Sequence, residues 1–310
     1  MNNFLSVIMP AYNPHQGRLA QVIEALQIQT LPTNQWELLI IDNNSPAPIQ
    51  IDLSWHPHHR ILIENKQGLT HARLKGFSEA KGELLLLVDD DNILEPNYLK
   101  HIVSIFESDQ KLGAIGGKSL PLFEATPPTW LPEFYGNLAL RDLGESILTA
   151  SKTNAYPTCA PIGAGMGIRK LALANYIKKY NFGTGLIGDR TGKSLASGGD
   201  NDIVLEILAA GWRVGYFPDL TLQHIIPKQR IEIGYLARLV QNTNESWVAV
   251  LEKHSINPWQ PIPKWSVPLR KLKAWLAHQA WKNSIHYLKW KASCGLFDGL
   301  SAIEKKHAKT

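Results

Sequence analysis

The chain has 310 residues, 44% hydrophobic and 19% charged, a balance that suits one large or two modest globular domains and excludes disordered and fibrous classes. Its 32 Lys/Arg and 27 Asp/Glu leave a net charge of +5, yet from Gln260 onward ten basic residues face two acids, so the tail carries +8 and the body −3, which argues against a nucleic-acid partner for the body. Cys159 and Cys294 are too few for a disulfide framework or zinc knuckle, and no window approaches the roughly 20 apolar residues of a spanning helix, so the expectation is a cytoplasmic, non-spanning protein.

In chain order, residues 4–9 form an apolar run, residues 18–29 place Leu19, Val22, Ile23 and Leu26 at helical spacing, and residues 37–41 form a second apolar run ending in Asp42. The WHPHHR segment, residues 55–60, is read as an exposed loop. Strand-like residues 60–63, helical 70–80, strand-like 84–88, helical 97–107 and strand-like 114–117 continue the alternation. Such a rhythm predicts a mostly parallel α/β sheet with helices on both faces. Prolines then break the pattern across residues 125–165, where Trp130 offers either a stacking face for a sugar or a packing plug. Helices are expected at 170–179 and 200–210, with a glycine-rich polar stretch at 183–199 between them and short strands at 212–217 and 220–222. Beyond Pro227 the chain turns helical and rich in Trp and Lys. A helix over residues 269–291 would align Leu269, Leu272, Trp275 and Leu276 with Trp281, Ile285 and Leu288.

Polar clusters come after three of the strands: Tyr12-Asn13, Asp42-Asn43-Asn44 and Asp89-Asp90-Asp91-Asn92. In open α/β sheets ligands bind beyond the carboxyl ends of the strands, so these clusters mark the candidate site. Three adjacent carboxylates leaving an apolar strand repel one another and lose hydration. They call for a cation, and Mg²⁺ or Mn²⁺ takes one or two carboxylates while phosphate oxygens complete its shell. The competing reading is a solvated turn that caps the next helix through Asp91 or Asn92. Residues 163–170, GAGMGIRK, either bring backbone close to a ligand or pack a strand tightly. GAIGGKS at 113–119 falls one residue short of a phosphate-binding P-loop, and no GxGxxG comes after the first strand.

SVIMPAYN at 6–13, LLIIDNNS at 38–45, NKQGLTHAR at 65–73, LLLLVDDDN at 84–92 and SGGDNDIVLEILAAGWRVGYFPDLTLQH at 197–224 together resemble the family 2 glycosyltransferases in order and rough spacing. The resemblance implies a GT-A fold, Rossmann-like, with a nucleotide-sugar half at 1–118, an acceptor half at 119–226 and a helical extension at 227–310. It also implies site residues. Pro10, Ala11 and Tyr12 would hold base and ribose, Asp42 would bond the base, and Arg73 would lie near the phosphates. Asp90 would face the ribose and Asp91 would ligate the metal, although three acids in a row allow a second register through Asp89. His224 matches a histidine that in some relatives completes the metal site. Asp200 corresponds to the general base, with Asp202 the second choice, because this chain has Gly199 where many relatives carry an acid.

The activity implied by the resemblance is that of a metal-dependent inverting enzyme that moves a sugar from a UDP-linked donor to a glycan or lipid-linked acceptor in cell-surface polysaccharide or glycolipid synthesis. A sugar-1-phosphate nucleotidyltransferase is the alternative enzyme, but it needs a glycine-rich basic loop where this chain has PAYNPHQGR. A catalytically silent homologue docking on a membrane through the basic tail is the alternative of another class. The Trp-rich tail suits either an anionic membrane interface or packing against the core.

Overall fold

Leu5–Ala11 (β1) and Trp36–Asp42 (β2) are buried at every position, which is why they read as unbroken apolar runs rather than alternating ones. The structure, a computed structural model, describes residues 4–152, 154–181 and 198–307. Between and after these strands come α1 (Gln16–Gln27), β3 (His59–Ile63), α2 (Leu69–Glu79), β4 (Leu84–Leu87), β5 (Asn92–Leu94), α3 (Tyr98–Ser108) and β6 (Leu112–Phe123). The chain continues through β7 (Leu148–Ala150), β8 (Gly167–Arg169), α4 (Ala174–Asn181), α5 (Gly199–Ala209) and β9 (Arg213–Ile226), and then α6 (Ile233–Lys253), α7 (Val267–Ala277) and α8 (Ser284–His307).

One sheet has the order β3-β2-β1-β4-β8-β6-β9-β5, with β7 also paired to β9. Its parallel half is β3-β2-β1-β4, in which Ala11 lies opposite Asp42. The strands added after β4 pair antiparallel, including β5 on β9, where Asn92 faces His224. The expected α/β sheet is thus present, and the order sets the carboxyl ends of β1, β2 and β4 side by side, with the acidic run after β4 leading into β5.

Two compact units emerge: residues 1–122, 139–184 and 203–225 form one, and residues 123–138, 185–202 and 226–310 the other. The first is built on the sheet, with Val7, Met9, Leu38, Ile40, Leu84 and Leu86 in its core against Leu19, Val22 and Leu26 of α1. At the amino ends of the strands the carboxylate of Glu37 accepts from Ser6 Oγ at 2.6 Å and from Arg60 at 3.1 Å, so the buried charge is neutralised far from the site. The second unit pairs α6 with α8, where Val248, Ile262, Leu300 and Ile303 form a small core. A Cβ on Gly295 would lie 1.9 Å from the carbonyl oxygen of Gln241, so the two helices cross at a distance only glycine permits. Asp298 ties the three helices together, accepting from Gln241 at 3.0 Å and from Lys271 at 2.7 Å.

Three expectations change. The strands read at 212–217 and 220–222 are one, β9, because the proline ring at 218 fixes a φ compatible with extended backbone even though it interrupts the apolar run. The single helix expected over 269–291 is two: Gln279 takes a left-handed φ of 49° after α7, and Asn283 Oδ1 accepts the His286 N–H at 3.1 Å to start α8. The WHPHHR segment is not all exposed, since His56 is fully buried with its ring centroid 4.0 Å from that of Trp36. The polar stretch at 183–199 falls outside the described residues as far as position 197.

Candidate active site

Four strand ends build the site. After β1, Tyr12 leaves the sheet half-exposed, offering its ring to solvent, while Pro10 and Ala11 remain within the buried strand. After β2, Asp42 is buried and its Oδ1 accepts the Ser45 N–H at 2.9 Å, while Ser45 Oγ accepts the Asn13 N–H at 2.8 Å. These bonds tie the first two loops to each other. Asn13 and Asn44 adopt φ values of 45° and 63°, a region that asparagine tolerates, and this lets both loops turn tightly.

Asn43, to which the sequence alone assigned no role, carries the third connection. Its side-chain amide donates to the carbonyls of Glu64 and Lys66 at 3.2 and 2.8 Å, and its Oδ1 accepts the Gly68 N–H at 2.7 Å. Gly68 immediately precedes α2, so this asparagine sets where that helix begins. Arg73 sits one turn into α2 and is buried.

The acidic run comes directly after β4. Asp89 and Asp90 are half-buried and Asp91 is buried. Asn92, fully buried, holds the run from below: its Oδ1 accepts the Asp89 N–H at 3.1 Å and its Nδ2 donates to Asp91 Oδ1 at 3.1 Å. The Ile225 N–H donates to the Asp91 carbonyl at 2.9 Å, which joins the run to β9. On that strand His224 brings Nε2 to 3.4 Å from Asp91 Oδ1. A carboxylate oxygen and an imidazole nitrogen at that separation are close to the roughly 3 Å between adjacent ligands of an octahedral Mg²⁺ or Mn²⁺, and the donor set is one that Mn²⁺ accepts. The residues present therefore fit a divalent metal.

Residues 163–167 pack beside the end of β4. The Gly165 N–H donates to the Leu87 carbonyl at 3.0 Å, and the Leu87 N–H donates to the Met166 carbonyl at 2.9 Å. Gly165 has φ 71° and its carbonyl accepts from Tyr98 Oη at 2.7 Å, and a Cβ there would lie 2.4 Å from that same hydroxyl oxygen. Close packing accounts for the glycine. The segment read as a near P-loop lies in β6, where Lys118 pairs with Glu145 at 2.5 Å.

In the other unit, the first turn of α5 carries Asp200 and Asp202. Asp200 is half-buried, with Oδ1 accepting the Asn201 N–H at 3.0 Å. Asp202 is buried and its two oxygens are engaged by Lys253 Nζ and His254 Nε2, each at 2.7 Å. That pairing was invisible in the sequence because its partners lie some fifty residues away. Trp130 meets Phe134 edge to face at 6.1 Å, a packing contact.

A parallel half-sheet with acids at its carboxyl ends, continued by antiparallel strands, defines the GT-A type of α/β fold. The family described as "Glycosyl transferase family 2" matches residues 6–164, about half of the chain, and the chain belongs to it. An N-acetylglucosaminyltransferase of Rhizobium meliloti (strain 1021) is 24% identical over 229 residues, covering 72% of this chain and 51% of that protein. The chain thus spans about half the length of such curated relatives. Among solved structures, S. aureus TarS 1–349 superposes with a TM-score of 0.53 at 16% identity, covering 98% of this chain and 92% of that one. The mannosyltransferase PcManGT from Pyrobaculum calidifontis, solved with GDP-Man and Mn²⁺, gives 0.55 at 18% identity over 99% and 75%. Among the described residues no helix is long and apolar enough to cross a membrane.

Proposed function

We propose that this chain is a metal-dependent inverting glycosyltransferase that moves a sugar from a UDP-linked donor to a hydroxyl of a glycan or lipid-linked acceptor, in the synthesis of cell-surface polysaccharide or glycolipid. The observation that carries the reading is the pair of Asp91 and His224, whose facing atoms lie 3.4 Å apart beyond the end of β4. TarS has been solved with UDP and with UDP-GlcNAc, and PcManGT with GDP-Man and Mn²⁺, which supports a nucleotide-sugar donor and a divalent metal in this fold.

In this reading Asp91 and His224 would hold the metal, with Asp89 as the alternative carboxylate, and the ion would supply charge neutralisation to the departing diphosphate. Tyr12 stacks on the base, Pro10 and Ala11 line it, Asp42 accepts from its imide, Asp90 faces the ribose, and Arg73 adds a guanidinium to the anionic end. Residues 1–118 form the nucleotide-sugar half, residues 119–226 the acceptor half, and residues 227–310 the C-terminal region. The acceptor oxygen attacks the anomeric carbon from the face opposite the diphosphate. Its proton passes to the Asp200 carboxylate, the bond from anomeric carbon to diphosphate oxygen breaks, and the nucleoside diphosphate leaves with the electron pair. Asp202 is buried, with one oxygen 2.7 Å from Lys253 Nζ and the other 2.7 Å from His254 Nε2, which favours the less enclosed Asp200 as the base. We place the reaction in the cytoplasm, on the inner face of the membrane, where the basic tail meets anionic lipid.

A thermal-shift screen of nucleotide sugars with and without Mn²⁺ tests this, because a ligand that binds only the native state raises its melting temperature. A UDP-sugar should stabilise the protein by several degrees, in the presence of metal only, and Asp91→Asn should remove that shift. Stabilisation that is equal without metal, or undiminished in the variant, overturns the metal assignment.

A further inference from the structure

Helix α7 turns its apolar side outward. At about 100° per residue, Leu269, Leu272 and Leu276 fall within roughly 60° of arc and are 63%, 57% and 54% exposed, while Trp265, in the tight turn just before the helix, is 75% exposed. Ala274, on the opposite side of the helix, is the buried one. Trp281, 59% exposed, extends the stripe past the helix end, its ring centroid 4.6 Å from that of Trp275. An amphipathic helix of a soluble protein normally shows the reverse arrangement, and a contiguous exposed apolar strip marks a contact surface.

Charge identifies the partner. Between Glu252 and Asp298 there is no acidic residue, while the interval holds eight Lys/Arg. Four of these are used internally: Lys253 on Asp202, Lys271 on Asp298, Lys289 on Glu133 and Lys291 on Gln241. The other four, Lys264, Arg270, Lys273 and Lys282, are exposed and have no carboxylate partner among the described residues. Lys273 lies about 40° from the edge of the stripe and Lys264 and Lys282 at its two ends, while Arg270 turns away and donates from Nε to Ser266 Oγ at 3.1 Å. A second copy of the chain laid on this face would bring these cations against their own kind with no acid to neutralise them. An anionic bilayer surface accepts all the components at once: the leucines enter the acyl boundary, the two terminal tryptophans sit at headgroup level, and the lysines meet lipid phosphates.

We propose that the stripe Trp265, Leu269, Leu272, Leu276 and Trp281, with Lys264, Lys273 and Lys282 beside it, is a monotopic docking surface for anionic phospholipid. It rests on the reading of the C-terminal region as the membrane side of the enzyme, and it names the residues that make the contact. The test is co-sedimentation of the full chain with vesicles of phosphatidylcholine alone or with about one-third phosphatidylglycerol. Wild type should sediment with the anionic vesicles, less so at high salt, and not with the neutral ones. Leu269→Asp/Leu272→Asp/Leu276→Asp should abolish this, and Lys273→Glu/Lys282→Glu should weaken it by about thirtyfold or more. Because all these side chains are exposed, the variants should melt like wild type, and the charge pair serves if the triple variant does not. Hydrolysis of UDP-sugar measured in parallel separates failure of docking from failure of the transferase reading. A wild-type protein that ignores anionic vesicles, a stripe variant that binds them unchanged, or light scattering showing a dimer that the triple variant loses would each overturn the proposal.

Discussion

Two carboxylates in one turn of α5 have opposite fates, and their surroundings decide which. Asp202 is buried and clamped at 2.7 Å by both Lys253 and His254, whereas Asp200 is half-buried with its Oδ1 on the next backbone N–H. Asp200→Asn should leave the melting temperature and UDP-sugar affinity near wild type while transfer falls by about 10²–10⁴-fold. Asp202→Asn should instead cost about 1–3 kcal/mol of stability, because a buried amide then replaces the carboxylate that Lys253 and His254 engage, visible as a lowered melting temperature, with activity per folded molecule largely kept. The reverse pattern would exchange their roles. His56 makes a second residue-scale prediction. Its Nδ1 accepts the His58 N–H at 3.1 Å, and burial beside Trp36 and Trp55, helped by the neighbouring His58 and His59, holds its pKa down from 6.5 to about 4. The folded protein therefore resists a proton that the unfolded chain accepts below pH 6.5, so this contribution to stability is complete above 6.5 and is lost as the pH falls towards 4. Melting temperatures measured from pH 7 to about 4 should drop more steeply in wild type than in His56→Phe. Parallel curves would show that the ring does not titrate this way. The acids of the site were legible because charge at the end of an apolar strand is conspicuous in a sequence. Of their partners, His224 for Asp91 was legible only through the family resemblance, and His254 for Asp202 was not, since long-range pairing brings it in.

At the scale of elements, the site's geometry depends on how tightly neighbouring segments approach the end of β4. Gly165 has φ 71°, and an added Cβ would meet Tyr98 Oη at 2.4 Å and Leu222 Cδ2 at 2.5 Å, so neither the backbone nor the space admits a side chain. Gly165→Ala should destabilise by about 2–4 kcal/mol, adding left-handed strain to overpacking. In a double-mutant cycle Tyr98→Phe should recover part of that loss, because it removes the oxygen nearest the new methyl. Full additivity of the two changes would locate the strain elsewhere. Strands that are buried on both faces, β1, β2 and β4, were legible as continuous apolar runs. The full lengths of β6 and β9 were not, because lysine, proline and aspartate interrupt their apolar pattern while the sheet still pairs them. The break between α7 and α8 had a signal that periodicity misses: Asn283, a capping residue, in the middle of an otherwise helical pattern.

For the whole molecule, the net +5 averages a slightly acidic body and a basic tail, and the fold changes how that tail is to be probed. Read as sequence, residues 260–310 suit either a membrane interface or packing against the core. In the structure their helix α8 lies along α6, with Leu300 and Ile303 packed on Val248, and Gly295 in direct approach to Gln241. Lys271 and Asp298, both within the segment, join Gln241 of α6 in one polar network. Deleting it would uncover Val248, bare the Gln241 backbone against which Gly295 packs, and leave the Gln241 side chain without Asp298 and Lys291. Such loss of core contacts costs several kcal/mol, comparable to the roughly 5–15 kcal/mol that stabilises a typical domain. A chain ending at residue 259 should therefore give little soluble protein and no cooperative calorimetric transition, whereas full-length protein substituted on the exposed α7 stripe should melt as wild type does. A truncated chain that melts cooperatively near the wild-type temperature would mean that α8 is an appendage, and the tail's charge would then be separable from the fold.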